Sequence, residues 1–218
     1  VWALAEGTDG YIWIGTLGSG LQGLDPRTGK FTQYIMPGEE AGRMYISSIR
    51  VGRDKNLYIA TSGGLVVFSP GTKTFEKWLG NKKGTQTFLH PNINDIYEDS
   101  RGLLWVATAE GLNMYDRKND NIISMGHEII LGIVEDNNKN MWITTSNSIT
   151  NIVVNVDPST GMYAYTCHRY SDLDGLQDQQ FNSRSLFKTI KGEIVAGGVR
   201  GMSFFDPEGL KYNRKLRK

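Results

Sequence analysis

INDIYEDSRGLLWVATAEGLNMYDRKND, residues Ile93 to Asp120, alternates apolar and polar positions with a period of two and is broken at short intervals by acid- and glycine-containing turns. Runs this short at that period read as strands, because an amphipathic helix needs a longer run at period 3.6. The same order recurs outside the segment: VWALAEGTDGYIWIGT begins at Val1, ISSIRVGRDKNLYIAT at Ile46 and ILGIVEDNNKNMWITT at Ile130. A degraded fifth copy, FNSRSLFKTIKGEIVAGG, begins at Phe181. Trp13, Tyr58, Trp105 and Trp142 anchor the copies, with Ile194 taken as the anchor of the weak one, at separations of 45, 47, 37 and 52 residues.

After each anchor strand comes a glycine turn, seen at Gly18-Ser19-Gly20, Gly63-Gly64, Glu110-Gly111 and Arg200-Gly201. A third strand follows, then a turn such as DPRTG (Asp25 to Gly29) or DPSTG (Asp157 to Gly161), and an aromatic-rich fourth strand. Four antiparallel strands per unit of about 45 residues is the arithmetic of a β-propeller blade. The expected fold is all-β, with about five four-stranded antiparallel blades near residues 1–42, 43–90, 91–126, 127–178 and 179–210.

A four-stranded sheet buries both faces only between neighbouring blades, so the anchors are expected in inter-blade cores, each removing about 150 to 250 Å² from water. Asp9, Asp54, Asp99 and Asp136 are expected to accept backbone N–H bonds and set the first hairpin of each blade.

Composition narrows the function. The 218 residues carry 24 Lys+Arg against 23 Asp+Glu, a net charge of +1 that argues against nucleic acid as a partner. Their apolar runs fall far short of the roughly 20 residues of a membrane-spanning helix, so no membrane insertion is expected, and no signal-peptide pattern opens the chain. One cysteine, Cys167, and three histidines give no zinc spacing, so neither a metal nor another cofactor is expected. Five of the last eight residues, Lys211 to Lys218, are basic, and this segment reads as a solvated tail or truncated linker.

The copies at Val1–Tyr34 and Ile93–Asp120 resemble the two-component-regulator propeller repeat of the extracytoplasmic sensor region of bacterial hybrid two-component systems. YSDLDGLQDQQFNSRS (Tyr170 to Ser185) with KGEIVAGGVRGMSFFDPEGL (Lys191 to Leu210) is similar to the last blade of such sensors, before their immunoglobulin-like domain. The resemblance implies the C-terminal portion of a larger propeller, periplasmic, with the remaining blades and that following domain as partners and a dimeric parent. It also implies a parent histidine kinase and an oligosaccharide signal. Five blades could close a ring, but an open array with an apolar face at each end is the favoured expectation.

An antiparallel meander puts the acidic and DPxTG turns at one end of each blade, and the glycine turns and inter-blade connections at the other. The second end varies more and carries sugar-binding residue types. Candidate ligand contacts there are Arg43, Tyr45, His90, Asn92 and His127, with Asn94, Asn182 and Arg184 at the starts of inner strands. No catalytic residue is assigned, because the acids at this end, chiefly Glu39, Glu40, Glu128, Asp172, Asp174 and Asp178, are few. A propeller glycosidase or lyase and a protein-binding scaffold are the alternatives.

Overall fold

The computed structural model describes residues 1–36, 44–79, 87–161, 163–171, 174–176 and 180–210. Among them, each of the first four sequence copies forms a four-stranded antiparallel meander in sequential order. Blade 1 comprises β1 (Ala3–Glu6), β2 (Ile12–Gly15), β3 (Leu21–Asp25) and β4 (Lys30–Tyr34). Blade 2 comprises β5 (Ile46–Val51), β6 (Leu57–Thr61), β7 (Gly64–Ser69) and β8 (Thr74–Leu79). Blade 3 comprises β9 (Ile93–Glu98), β10 (Leu104–Thr108), β11 (Gly111–Asp116) and β12 (Asn121–Met125). Blade 4 comprises β13 (Gly132–Glu135), β14 (Met141–Thr144), β15 (Ile149–Val156) and β16 (Tyr163–Tyr170).

In blade 5 the expected fourth strand falls on residues 211–218, outside the described residues. The blade has three among the described residues, β17 (Phe181–Lys188), β18 (Ile194–Gly198) and β19 (Gly201–Phe205), followed by a single-turn 3-10 helix at Pro207–Gly209. The chain divides into two compact units, Val1–Gly132 and Ile133–Lys218. Blades 1 to 3 lie in the first and blades 4 and 5 in the second.

In the first unit β1 packs on β5 and β5 on β9, so the blades stack along their inner strands. The anchor of one blade meets the aliphatic face of the next, as expected. Trp13 is buried with Leu57, Ile59, Val66 and Phe68 of blade 2, its ring 5.1 Å from that of Phe68. Tyr58 is buried with Ile96, Leu104, Val106 and Tyr115 of blade 3. In the second unit Trp142 meets Phe205 of blade 5 at 5.0 Å in the same way.

In blades 1 to 3 the small-residue-plus-Thr ending has a cause in the glycine turn. Thr16, Thr61 and Thr108 donate their hydroxyls to the carbonyls of Gly20, Gly64 and Gly111 at 2.8, 2.7 and 2.7 Å. Gly111 has φ +144°, and a Cβ there would stand 2.7 Å from the Gly126 carbonyl oxygen, so this turn requires glycine.

The turn aspartates do more than set hairpins. They accept backbone N–H bonds as expected, for example Asp99 from Arg101 and Leu103 at 2.9 and 3.0 Å. Each also accepts from the polar tip of its own anchor: Trp13 Nε1 to Asp9 at 3.3 Å, Tyr58 OH to Asp54 at 2.7 Å, Trp105 Nε1 to Asp99 at 3.0 Å and Trp142 Nε1 to Asp136 at 2.8 Å. A buried indole N–H needs such a partner.

The four aspartates nevertheless occupy two different turn positions, four residues before the anchor in blades 1 and 2 and six before it in blades 3 and 4. Where the carboxylate comes from the nearer position, the farther one is glycine. A Cβ on Gly7 would lie 2.3 Å from Asp9 Oδ1, and one on Gly52 2.5 Å from Asp54 Oδ1. In blades 1 to 4 the anchor's carboxylate partner is thus supplied from either of two turn positions.

The turn geometry corrects one assignment. Gly10, Lys55, Gly102, Lys139 and Gly192 all have positive φ at the equivalent turn position, and the anchor follows three residues later in the first four copies. In the fifth copy that residue is Val195, which pairs with Phe187 and Phe204. Ile194 therefore corresponds to Leu104, on the opposite face of its sheet. With no donor on Val195, this turn needs no carboxylate, and Thr189 and Glu193 bond each other instead.

Candidate functional site

At the acidic-turn end of the first unit, polar side chains lock blade 2 to blade 3. Arg117, in the turn after β11, donates to Tyr58 OH at 2.6 Å and to the Gly102 carbonyl at 3.0 Å, and it pairs with Glu98. Its guanidinium lies 4.9 Å from the centre of the Tyr58 ring. Arg53 donates from its guanidinium to the Asp99 and Ser100 carbonyls, both at 3.0 Å. These groups satisfy one another, so the cluster is cohesive rather than open to a ligand.

Burial, reinforced by the Asp54 carboxylate, pushes the Tyr58 hydroxyl well above the ordinary phenol value of 10.0, with Arg117 acting in the opposite direction and outweighed. A folded-state value above the unfolded one means that this stabilisation is complete below about pH 10 and is lost as pH rises further. Urea unfolding between pH 9 and pH 12 should show stability falling above pH 10, by at most about 1.4 kcal/mol per pH unit from this residue. Tyr58→Phe should lack that component.

At the opposite end the structure brings part of the sequence-predicted set together. Tyr45 and Asn92 immediately precede β5 and β9, and Tyr45 OH donates to Asn92 Oδ1 at 2.7 Å. The Asn92 backbone N–H donates to His90 Nδ1 at 3.0 Å, so His90 holds the Pro91 turn. Asn94 donates to the Ile130 carbonyl at 2.9 Å, tying the strand start to the connection that leaves blade 3. His127 is exposed and joins none of these contacts, while Arg43 lies outside the described residues. Trp2 was absent from the candidates, yet its ring is 6.2 Å from that of Tyr45 and its surface is half exposed. A tilted aromatic pair with a carboxamide at its edge can stack on the C–H face of a sugar and bond its hydroxyls.

Asn182 and Arg184 belong to the second unit and are described apart. Between Phe181 and Leu186 the β17–β18 register slips. Five residues separate these two where three separate Ile93 from Ile96, so β17 carries two extra residues. The bulge exposes Asn182 and puts Arg184 at φ +58°, a conformation that costs a non-glycine residue about 1–2 kcal/mol. Arg184→Gly should therefore raise stability by about 1 kcal/mol, a rise in Tm of about 2–4 °C by calorimetry.

These meanders and inter-blade anchors define a β-propeller repeat protein. More narrowly, residues 87–110 and 124–147 match the model of the two-component regulator propeller family. Histidine kinase P4 of Formosa agariphila is 27% identical over 217 residues, a match covering 94% of this chain and 15% of the kinase. The extracellular domain of a hybrid two-component system from Bacteroides thetaiotaomicron superposes with a TM-score of 0.69 at 21% identity, covering 99% of this chain and 28% of that one. A second such domain from the same organism gives 0.54 at 20% identity, covering 94% and 33%. The chain thus spans a minor part of each relative. None of the helices among the described residues is long and apolar enough to cross a membrane.

Proposed function

We propose that this chain is part of the extracytoplasmic sensor region of a hybrid two-component system, where it contributes to recognition of an oligosaccharide and to signalling toward a histidine kinase without catalysing a reaction. The observation that carries this reading is the pair of two-component regulator repeats at 87–110 and 124–147. The Trp2, Tyr45 and Asn92 group supplies a stacking surface and an amide at the loop end of the first unit. The bulge carrying Asn182 and Arg184 supplies polar groups in the second.

Apolar side chains on the first and last blades support contact with further blades of a longer parent. Leu4 and Phe31 of blade 1 are 63% and 58% exposed, and Phe187 and Phe204 of blade 5 are 55% and 59% exposed. Strands of ordinary blades bury such residues against a neighbour, so a parent propeller, its immunoglobulin-like domain and a dimeric assembly are the proposed partners.

Calorimetry with an oligosaccharide panel tests the proposal on this chain and on the longer extracytoplasmic region. A saturable sugar isotherm, weakened at least ten-fold by Asn92→Ala or Arg184→Gly, is expected. Binding by the longer region alone would place the ligand outside these blades. Release of cleaved product, lost on replacing one carboxylate, would replace the sensor reading with a glycosidase or lyase.

A further inference from the structure

Of the four turn aspartates, Asp99 and Asp136 are buried, but only Asp99 has a cation beside it. Asp99 accepts from the Arg101 and Leu103 backbone N–H groups, from Trp105 Nε1 and from Arg101 Nε. Asp136 accepts from the Asn140 backbone N–H at 2.9 Å, the Asn140 carboxamide at 3.3 Å and Trp142 Nε1 at 2.8 Å. No cation among the described residues pairs with it. Lys188 of β17 donates instead to the neighbouring Asn137, at 3.0 Å. A carboxylate offers about four acceptor positions, so one on Asp136 is open.

Asp136 lines a cavity of about 340 Å³ within the second unit, together with Asn138, Asn140, Asn151, His168 and Tyr170. Trp142, stacked on Tyr170 at 5.8 Å with 21° between the rings, gives the cavity an aromatic wall.

The repeat shows that packing does not require this lining. In blade 3, Arg101 and Leu103 follow the carboxylate by two and four residues, and Met114 and Ile123 stand in line beside Trp105 on β11 and β12. The same four places in blade 4 hold Asn138, Asn140, Asn151 and His168. Three carboxamides and an imidazole thus replace a guanidinium and three apolar side chains. Buried polar groups and charges without full partners cost stability, and proteins keep such departures at functional sites.

A second observation lies on the other side of the aromatic pair. A cavity of about 410 Å³ shares Trp142, Tyr170 and Leu210 with the first. Ser203 lines it and is 6% exposed, and its hydroxyl has no hydrogen-bond partner among the described residues.

We infer that this cleft, between β14–β16 and the segment from Ser203 to Leu210, binds an amino sugar unit of an oligosaccharide, its ammonium group on the open acceptor of Asp136. The ligand's cation then does for Asp136 what Arg101 does for Asp99. Asn138, Asn151 and His168 supply donors and acceptors for ring hydroxyls, the aromatic pair supplies a surface for the C–H face, and Ser203 bonds the adjoining sugar. The inference rests on the oligosaccharide reading and adds to it a charged sugar and a site at the acidic-turn end of the second unit.

Titration of the 218-residue chain with glucosamine and with N-acetylglucosamine tests this. At about pH 6.5 the free amine is protonated, and acetylation removes its charge. Glucosamine should bind at least ten-fold more tightly, and the Trp142 indole N–H resonance should shift along the same isotherm. Asn138→Arg places a guanidinium where blade 3 carries Arg101, so it should weaken glucosamine binding at least ten-fold while leaving the thermal midpoint unchanged or higher. Asp136→Asn should lose the preference for the charged sugar, and the arginine variant carries the test if the asparagine variant fails to fold. Absence of glucosamine binding, equal affinity for the two sugars, a Trp142 resonance that does not move, or undiminished binding by Asn138→Arg would overturn the inference. The sensor reading would survive each of these results, since the sugar panel with Asn92→Ala and Arg184→Gly tests it separately.

Discussion

Replacing Asp99 with alanine is expected to destabilise the protein by about 3–5 kcal/mol, the range for removing one partner of a buried charged network. Asp99 is fully buried and accepts from the Arg101 and Leu103 backbone N–H groups, from Trp105 Nε1 and from the Arg101 side chain, at 2.9 to 3.0 Å. Alanine cannot accept any of these bonds, and the closed turn gives water little access to the abandoned donors. The corresponding change in blade 1, Asp9→Ala, should cost only about 1 kcal/mol, because that carboxylate is exposed and its indole bond is longer, at 3.3 Å. Urea denaturation of the two variants makes the comparison. Equal losses would mean that the aspartates act only through the hairpin, and that the bond to the anchor contributes nothing measurable.

Trp13→Ala should be as severe, at about 3–5 kcal/mol, the usual cost of deleting a large aromatic from a core. The indole is 1% exposed and touches Tyr11, Tyr34 and Phe68, so the cavity left would lie between two sheets rather than at a surface. Each sheet is held by its own ladder and would relax little into the space. A loss below 1 kcal/mol, with oligosaccharide affinity abolished, would instead make the recurring tryptophans a ligand platform.

The strands, their meander order and the packing role of the anchors were legible because they rest on local patterns. Alternation identifies a strand, Gly-containing turns break it, and repetition at about 45 residues identifies the blade. The fifth anchor was misplaced by one residue for a physical reason. Ile194 and Val195 are both buried and apolar, and a strand covered on both faces shows no alternation to tell them apart. Only the left-handed Gly192 in the preceding turn settles the register.

The candidate site was legible as an end of the blades rather than as a set of residues. The polarity of the connections singled out Tyr45 and Asn92, but their hydrogen bond joins residues 47 apart in sequence. His90 and Asn94 carry the right chemistry and are engaged by backbone groups. Trp2 escaped notice because a tryptophan at the start of a repeat looks like another core residue until its exposure is known.

The amino-acid order by itself determined that this protein is built of repeated antiparallel sheets, since period, turn residues and repeat length depend only on neighbours along the chain. Tertiary structure alone decided how each carboxylate meets its anchor, where the extra residues of β17 bulge outward and which loop residues touch. Those outcomes depend on distances between side chains in different blades or on different arms of a turn, and packing sets such distances.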